Sequence, residues 1–229
     1  MAIISIENVS LTIGNAQILR DISVQFEEGR IHGIVGRNGS GKTMLMKCIC
    51  GFIRPTAGRI IVAGNQVGRD VDFPPDLGLL IETPGFVPYY SGLKNLELLA
   101  AINRRASKER LNSCMEQLGL GNAKDKRVSK YSMGMRQRLG IAQAVMEDPQ
   151  LLILDEPLNG LDEQGVEDIR TLLLELRGQG KTILLSSHNR EDIDLLCDSV
   201  CKMAGGVLTD EPLSFMASDS SKQNLEGMT

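Results

Sequence analysis

The residues with the clearest chemical meaning are Gly36-Arg37-Asn38-Gly39-Ser40-Gly41-Lys42-Thr43, which fit the spacing GxxxxGK[ST]. Glycines in such a stretch let the backbone curl until successive N–H groups converge on an anion. A helix N-terminus at the end of the curl adds a dipole that favours negative charge. Gly36, Asn38, Gly39, Ser40 and Gly41 are therefore expected to cradle phosphate. Lys42 would reach the outer phosphates, and the Thr43 hydroxyl would be a ligand for Mg²⁺. At average residue frequencies the pattern arises by accident in roughly one chain in a hundred of this length. A short apolar run, Ile31 to Val35, precedes it and a helical pattern follows, which a mere glycine-rich turn does not require.

A second constellation stands at Leu151-Leu152-Ile153-Leu154-Asp155-Glu156. An apolar run that ends in two acids reads as a parallel strand buried on both faces. Ligands in open α/β sheets sit at the carboxyl ends of strands, so both acids would face the nucleotide. Asp155 fits a partner for Mg²⁺, directly or through water. Glu156 fits a general base that polarises an attacking water. Alone, the pair is nearly as well explained as two acids capping a surface strand; beside the phosphate loop that explanation is weak.

The elements that must position these groups can be read from periodicity. Ser5 to Val9 and Ile22 to Phe26 alternate as strands about a turn at Gly14-Asn15, and further strands fit Arg59 to Val62, Leu77 to Ile81 and Thr182 to Ser186. Helical spacing covers Lys42 to Cys50, Leu93 to Ile102, Lys108 to Leu118, Met135 to Met146 and a stretch near Glu163 to Leu176. The order predicts a single α/β domain. Its nucleotide-binding core would be residues 1–82 and 149–212, with a helical insertion at 83–148 and a polar, Ser- and Asp-rich tail at 213–229.

Composition narrows the class. The chain has 229 residues, 42% of them apolar, enough for one sizeable core. A net charge of −4 with mixed signs gives no basic footprint, and no nucleic-acid partner is expected. No apolar run is long enough to span a bilayer and the first residues lack a secretory pattern, so membrane work would need spans from another chain. The five cysteines form no CxxC pair and fit reduced, buried thiols of a cytosolic protein.

Tyr131-Ser132-Met133-Gly134-Met135-Arg136-Gln137-Arg138 resembles the signature of the ABC family. Asp155 to Asp162 looks like that family's Walker B segment and D-loop, Ser186-Ser187-His188 looks like its switch histidine, and Gln143 sits in the helix after the signature. The resemblance covers residues from about 3 to 209 in the family's order. It implies a P-loop NTPase core with a mainly parallel central sheet, an N-terminal antiparallel β subdomain and an inserted helical subdomain. It also implies a head-to-tail dimer, a homodimer on this reading, with ATP sandwiched between the phosphate loop of one copy and the signature of the other. Ser132 and Gly134 would then bind the γ-phosphate of a nucleotide held by the partner, and His188 would contact the γ-phosphate. Helix capping is the simpler role for Ser132 and Gly134; His32, in a strand without such context, is read as structural.

Three departures stand out. The signature reads YSMGM, with Met133 and Met135 in place of a glycine and a glutamine. Ile13 stands where the family usually stacks an aromatic on adenine, so weaker base discrimination is expected. Glu82 replaces the usual glutamine, as in the bacterial drug, bacitracin and lantibiotic-resistance branch, and is expected to ligate Mg²⁺ and couple hydrolysis to a partner. Beside it Phe86, Tyr89 and Tyr90 cluster within five residues; docking of a partner and packing between core and helices explain them about equally. The resemblance implies an ATP-hydrolysing subunit, held on the inner face of the membrane by a multi-span permease, for export or self-resistance. A soluble ATPase acting on ribosomes or nucleic acid is the alternative.

Overall fold

The computed structural model describes residues 1–82 and 85–211. The tail expected at 213–229, and Thr83 and Pro84 of the loop after Glu82, lie outside them.

The chain opens with a long hairpin, β1 (Ala2–Ile13) and β2 (Ala16–Glu27), turning at Gly14 and Asn15. Then come β3 (Ile31–Val35), α1 (Lys42–Ile49), β4 (Ala57–Val62), β5 (Asn65–Gln66) and β6 (Leu77–Leu80). The helices α2 (Gly92–Asn103), α3 (Lys108–Gln117) and α4 (Met133–Val145) follow. The chain continues through β7 (Leu151–Asp155), α5 (Glu163–Gly178), β8 (Thr182–Ser187), α6 (Arg190–Leu196), β9 (Ser199–Ala204) and β10 (Val207–Glu211).

The hairpin is much longer than its alternating stretches predict, and the reason is local. Asn8 and Asp21 both take left-handed backbone angles, at φ 49° and 46°, and the Asn8 amide donates to the Asp21 carboxylate at 3.1 Å. Two short polar residues that tolerate this conformation sit across from one another where the register shifts. Alternation breaks there although pairing continues on both sides.

Strands β2-β1-β4-β5 form an antiparallel sheet, and β10-β9-β3-β8-β7-β6 form a six-stranded one. All neighbours in the larger sheet run parallel except β10 against β9. Both faces of its centre are buried, and alternation along the strands shows it. Leu151, Ile153 and Leu184 pack with the hairpin and α1, whereas Leu152, Leu154, Ile183 and Leu185 pack with the helices that follow. This is the α/β fold expected, with a mostly parallel sheet beside an antiparallel one.

Helices α2 to α6 each begin with a side-chain cap, from Ser91, Ser107, Ser132, Asp162 and Asn189. Helix α1 begins instead at Gly41, with φ 115° and no side-chain cap, so its first backbone donors are left to the loop in front of it. Among the described residues no helix is long and apolar enough to cross a membrane.

Candidate active site

The phosphate loop joins β3, an inner strand of the larger sheet, to α1. Its first glycine is sterically required: a Cβ at Gly36 would lie 2.3 Å from the Met203 carbonyl oxygen and 2.7 Å from Ser40 Oγ. Gly39 and Gly41 supply the left-handed angles that bend the loop back over the helix start, at φ 79° and 115°. Lys42 is buried; its ammonium donates to Gly36 O at 2.7 Å and lies 3.5 Å from Glu156 Oε1. Asn38 to Met44, Asp155, Glu156 and Ile18 line a cavity of about 390 Å³.

Strands β7 and β8 bring the remaining groups to the same end of the sheet. Asp155 is clasped from both sides: Thr43 Oγ1 donates to Oδ2 at 2.6 Å and Ser186 Oγ donates to Oδ1 at 2.6 Å. Ser186 Oγ in turn accepts from Glu156 N at 3.0 Å. Glu156 is left-handed, at φ 51°, and its carbonyl accepts from Asn159 N at 3.2 Å, closing a turn with Pro157 in its second position. That conformation turns the side chain toward α1. Glu156 Oε2 meets His188 Nδ1 at 2.8 Å, while Oε1, buried without a hydrogen bond, faces the Lys42 ammonium. Lys42, Thr43, Asp155, Glu156 and His188 thus form one connected cluster.

The donor set suits a small hard cation. Thr43 and Asp155 offer oxygens 2.6 Å apart beside the phosphate loop. Among the described residues no group of three or more His, Cys, Asp or Glu could hold a metal alone. An ion here would share its shell with phosphate oxygens and water, as Mg²⁺ does.

Ser132 and Gly134 lie elsewhere and do not line the cavity. Ser132 caps α4, its Oγ accepting from Met135 N at 3.2 Å, so the capping role is realised; the hydroxyl keeps a proton to donate outward. Gly134 faces the D-loop: a Cβ there would lie 3.1 Å from Gly160 O. Met133, 70% exposed, covers Gly160, where an added Cβ would lie 2.5 Å from Met133 Cε.

Comparison with known proteins places this geometry in a family. The ABC transporter family profile matches residues 19–159. The chain belongs to the ABC transporter family. An ABC transporter ATP-binding protein of Bacillus subtilis, itself uncharacterized, is 42% identical over 205 residues, covering 90% of this chain and 94% of that one. A bacitracin transport ATP-binding protein of Enterococcus faecalis is 39% identical over 211 residues, covering 91% and 68%. A bacterial ABC transporter cassette solved as a dimer superposes with a TM-score of 0.83 over 92% of this chain and 98% of that one, at 23% identity, and shares the fold. The chain is thus an ATP-binding, ATP-hydrolysing cassette.

Two further predicted site residues of the cassette also stand apart from the cluster. Ile13 ends β1, 49% exposed, and does not line the phosphate-loop cavity, whereas Ile18 on the next strand does. Glu82 pairs with Lys47 at 2.6 Å, one helical turn beyond Thr43 on α1. The aromatic cluster divides between its two readings. Phe86 packs against the core, while Tyr89 and Tyr90 stay 65% and 40% exposed in edge-to-face contact.

Sequence reasoning passed over several residues that organise this site. Asn95 is buried on α2 and holds the aromatic loop, accepting from Val87 N at 2.8 Å and donating to the carbonyls of Val87 and Ser91. Arg170 on α5 makes two bonds to buried Asp192, at 2.7 and 3.2 Å, and Asp192 accepts from Ser187 Oγ at 3.2 Å beside His188. Ser186 was visible only as part of the histidine motif. A polar residue inside a helical pattern looks solvated until the partner element is known.

Proposed function

We propose that the chain binds MgATP between two head-to-tail copies and hydrolyses it to drive a separate membrane permease. The observation that carries this reading is the placement of Glu156 between Lys42 and His188, beside Asp155 held by Thr43. In this reading the backbone of 36–41 and the Lys42 ammonium bind the phosphates of ATP. Thr43 and Asp155 would hold Mg²⁺, which supplies charge neutralisation on the phosphate oxygens when bound, and Glu82 would join them only on release from Lys47. Glu156 orients water in line with the γ-phosphorus and accepts its proton, and His188 fixes the Glu156 carboxylate and reaches the γ-phosphate. Ser132 and Gly134 at the start of α4 close the site from the second copy, a homodimer here.

The core at 1–82 and 149–212 would carry the nucleotide, and the helices between would face the permease, with Tyr89 and Tyr90 at the contact. Likeness to a bacitracin transport protein supports export of a peptide antibiotic, with the cassette on the inner face of the membrane.

Glu156→Gln tests the chemical step: turnover should fall by about 10²- to 10⁴-fold while ATP binding persists. Turnover within a few-fold of wild type would remove Glu156 from the reaction. The transport arm is tested by purifying the tagged chain from its native cells in mild detergent. A stoichiometric partner with several apolar spans is expected; ribosomal or nucleic-acid partners alone would replace the transporter reading with that of a soluble ATPase.

A further inference from the structure

The base sits on a turn that its own torsions do not favour. Glu156 is a non-glycine residue at φ 51°, a conformation that costs about 1 kcal/mol or more and persists only where the surroundings fix it. One fixing bond lies within the turn, from Asn159 N to Glu156 O at 3.2 Å. A second ties Glu156 N to Ser186 Oγ on β8 at 3.0 Å, and a third comes from the helices. The Gln137 side-chain nitrogen, on α4, lies 3.1 Å from Glu156 O and 3.0 Å from Pro157 O. Both partners are carbonyls, which only accept, so the amide must point its NH₂ group at them and spend one hydrogen on each.

Gln137 lies on the first turns of α4, the helix whose N-terminus holds Ser132 and Gly134. Gly134 and Met133 also press on Gly160, three residues beyond Pro157, so the start of α4 and the turn after Glu156 touch at two places. We infer that Gln137 is a positioning residue that ties the start of α4 to the backbone of Glu156. Any ligand that draws on the N-terminus of α4 therefore shifts the base of the same chain. On the proposed function, which this inference rests on and deepens, that ligand is the nucleotide held by the second copy. Gln137 then makes the two ATP sites of the dimer report on one another.

Gln137→Met tests this, because methionine keeps the length and helix propensity of glutamine and removes only the donors. The expected result is a kcat about 10- to 100-fold lower with KM changed less than about threefold. The Hill coefficient for ATP should fall toward one while the melting temperature stays near that of wild type. Gln137→Arg, which can again donate to both carbonyls, should recover part of the rate. Glu156→Gln is measured beside them. If Glu156→Gln is inactive and Gln137→Met keeps the wild-type kcat and Hill coefficient, the positioning inference is wrong and the proposed function stands. If Glu156→Gln turns over ATP normally, the proposed function itself has failed. A Gln137→Met variant that loses melting temperature but not rate would also overturn the inference, by making the clamp purely structural.

Discussion

His32 lies between Glu27 O and Ser199 Oγ, at 2.7 and 2.6 Å. A carbonyl only accepts, so Nε2 carries the proton and Nδ1 accepts from the serine. The ring is neutral and buried, and burial lowers its pKa below the ordinary 6.5 despite the opposing pull of the Glu27 carbonyl. The unfolded chain then takes up the proton first as pH falls. The contribution of His32 to stability is whole above pH 6.5 and is lost progressively below it. Melting temperature should fall between pH 7.5 and 5.5, with a shallower slope in His32→Gln; equal slopes would show that other groups set the acid limit. The structural role read for His32 from the sequence agrees with this placement. The five cysteines agree too: all are buried, and burial raises Cys50, Cys197 and Cys201 to about 12, so these are neutral thiols. These groups were legible because their apolar neighbours in sequence are also their neighbours in space.

Helices α5 and α6 show where that correspondence ends. Their join is the Arg170–Asp192 pair, with both side chains more than nine-tenths buried. Arg170 also pairs with Glu167 and Glu191, but removing it leaves the buried Asp192 carboxylate without a cation, which costs about 3–5 kcal/mol, while replacing both with apolar residues is often neutral. Arg170→Met should therefore lower stability by about that amount in a denaturant titration, and Arg170→Met with Asp192→Leu should recover most of it. The double variant would still lack the bond from Ser187 to Asp192, so its kcat should remain below wild type. A double variant as active as wild type would confine the pair to stability. Nothing in the spacing of Arg170 on an exposed-looking helix announced this role. By contrast α2, α3 and α4 fall within two residues of their predicted ends: α2 and α3 bury apolar residues at helical spacing, and α4 buries nearly all of its second half. Strands β9 and β10 and helix α6 were not anticipated: α6 is short, and the two strands carry too few alternating residues to signal themselves.

At the scale of the molecule, the phosphate loop and the start of α4 are separate surfaces of one chain, so the site proposed above would be completed only by a second chain. Glu156→Gln with ATP should give a species of twice the chain's mass by light scattering. Adding Gly134→Asp should return it to the monomer, because a carboxylate then meets phosphate. Gly134→Ala meets the same Gly160 oxygen without the charge and should leave the dimer intact; monomers in both variants would assign the effect to packing instead. The phosphate loop and the Asp155-Glu156 pair were legible in sequence because each is contiguous. Their convergence on one Mg²⁺ site was expected too, but the direct hydrogen bonds from Thr43 and Ser186 to Asp155 were not, since those contacts span 112 and 31 residues.

Strands β6 and β7 are parallel neighbours, with Leu77 across from Leu151, yet α2, α3 and α4 all lie between them in the chain. The whole helical excursion leaves the sheet at the carboxyl end of β6 and returns at the amino end of the strand beside it, about 5 Å across. Such a segment is a natural unit of exchange for recombination. Two crossovers, placed at the ends of adjacent strands, would graft another relative's helices onto this sheet without disturbing the order of its strands. Lineages could in this way trade the helical segment, the start of α4 included, while inheriting the phosphate loop and the Asp155-Glu156 pair unchanged.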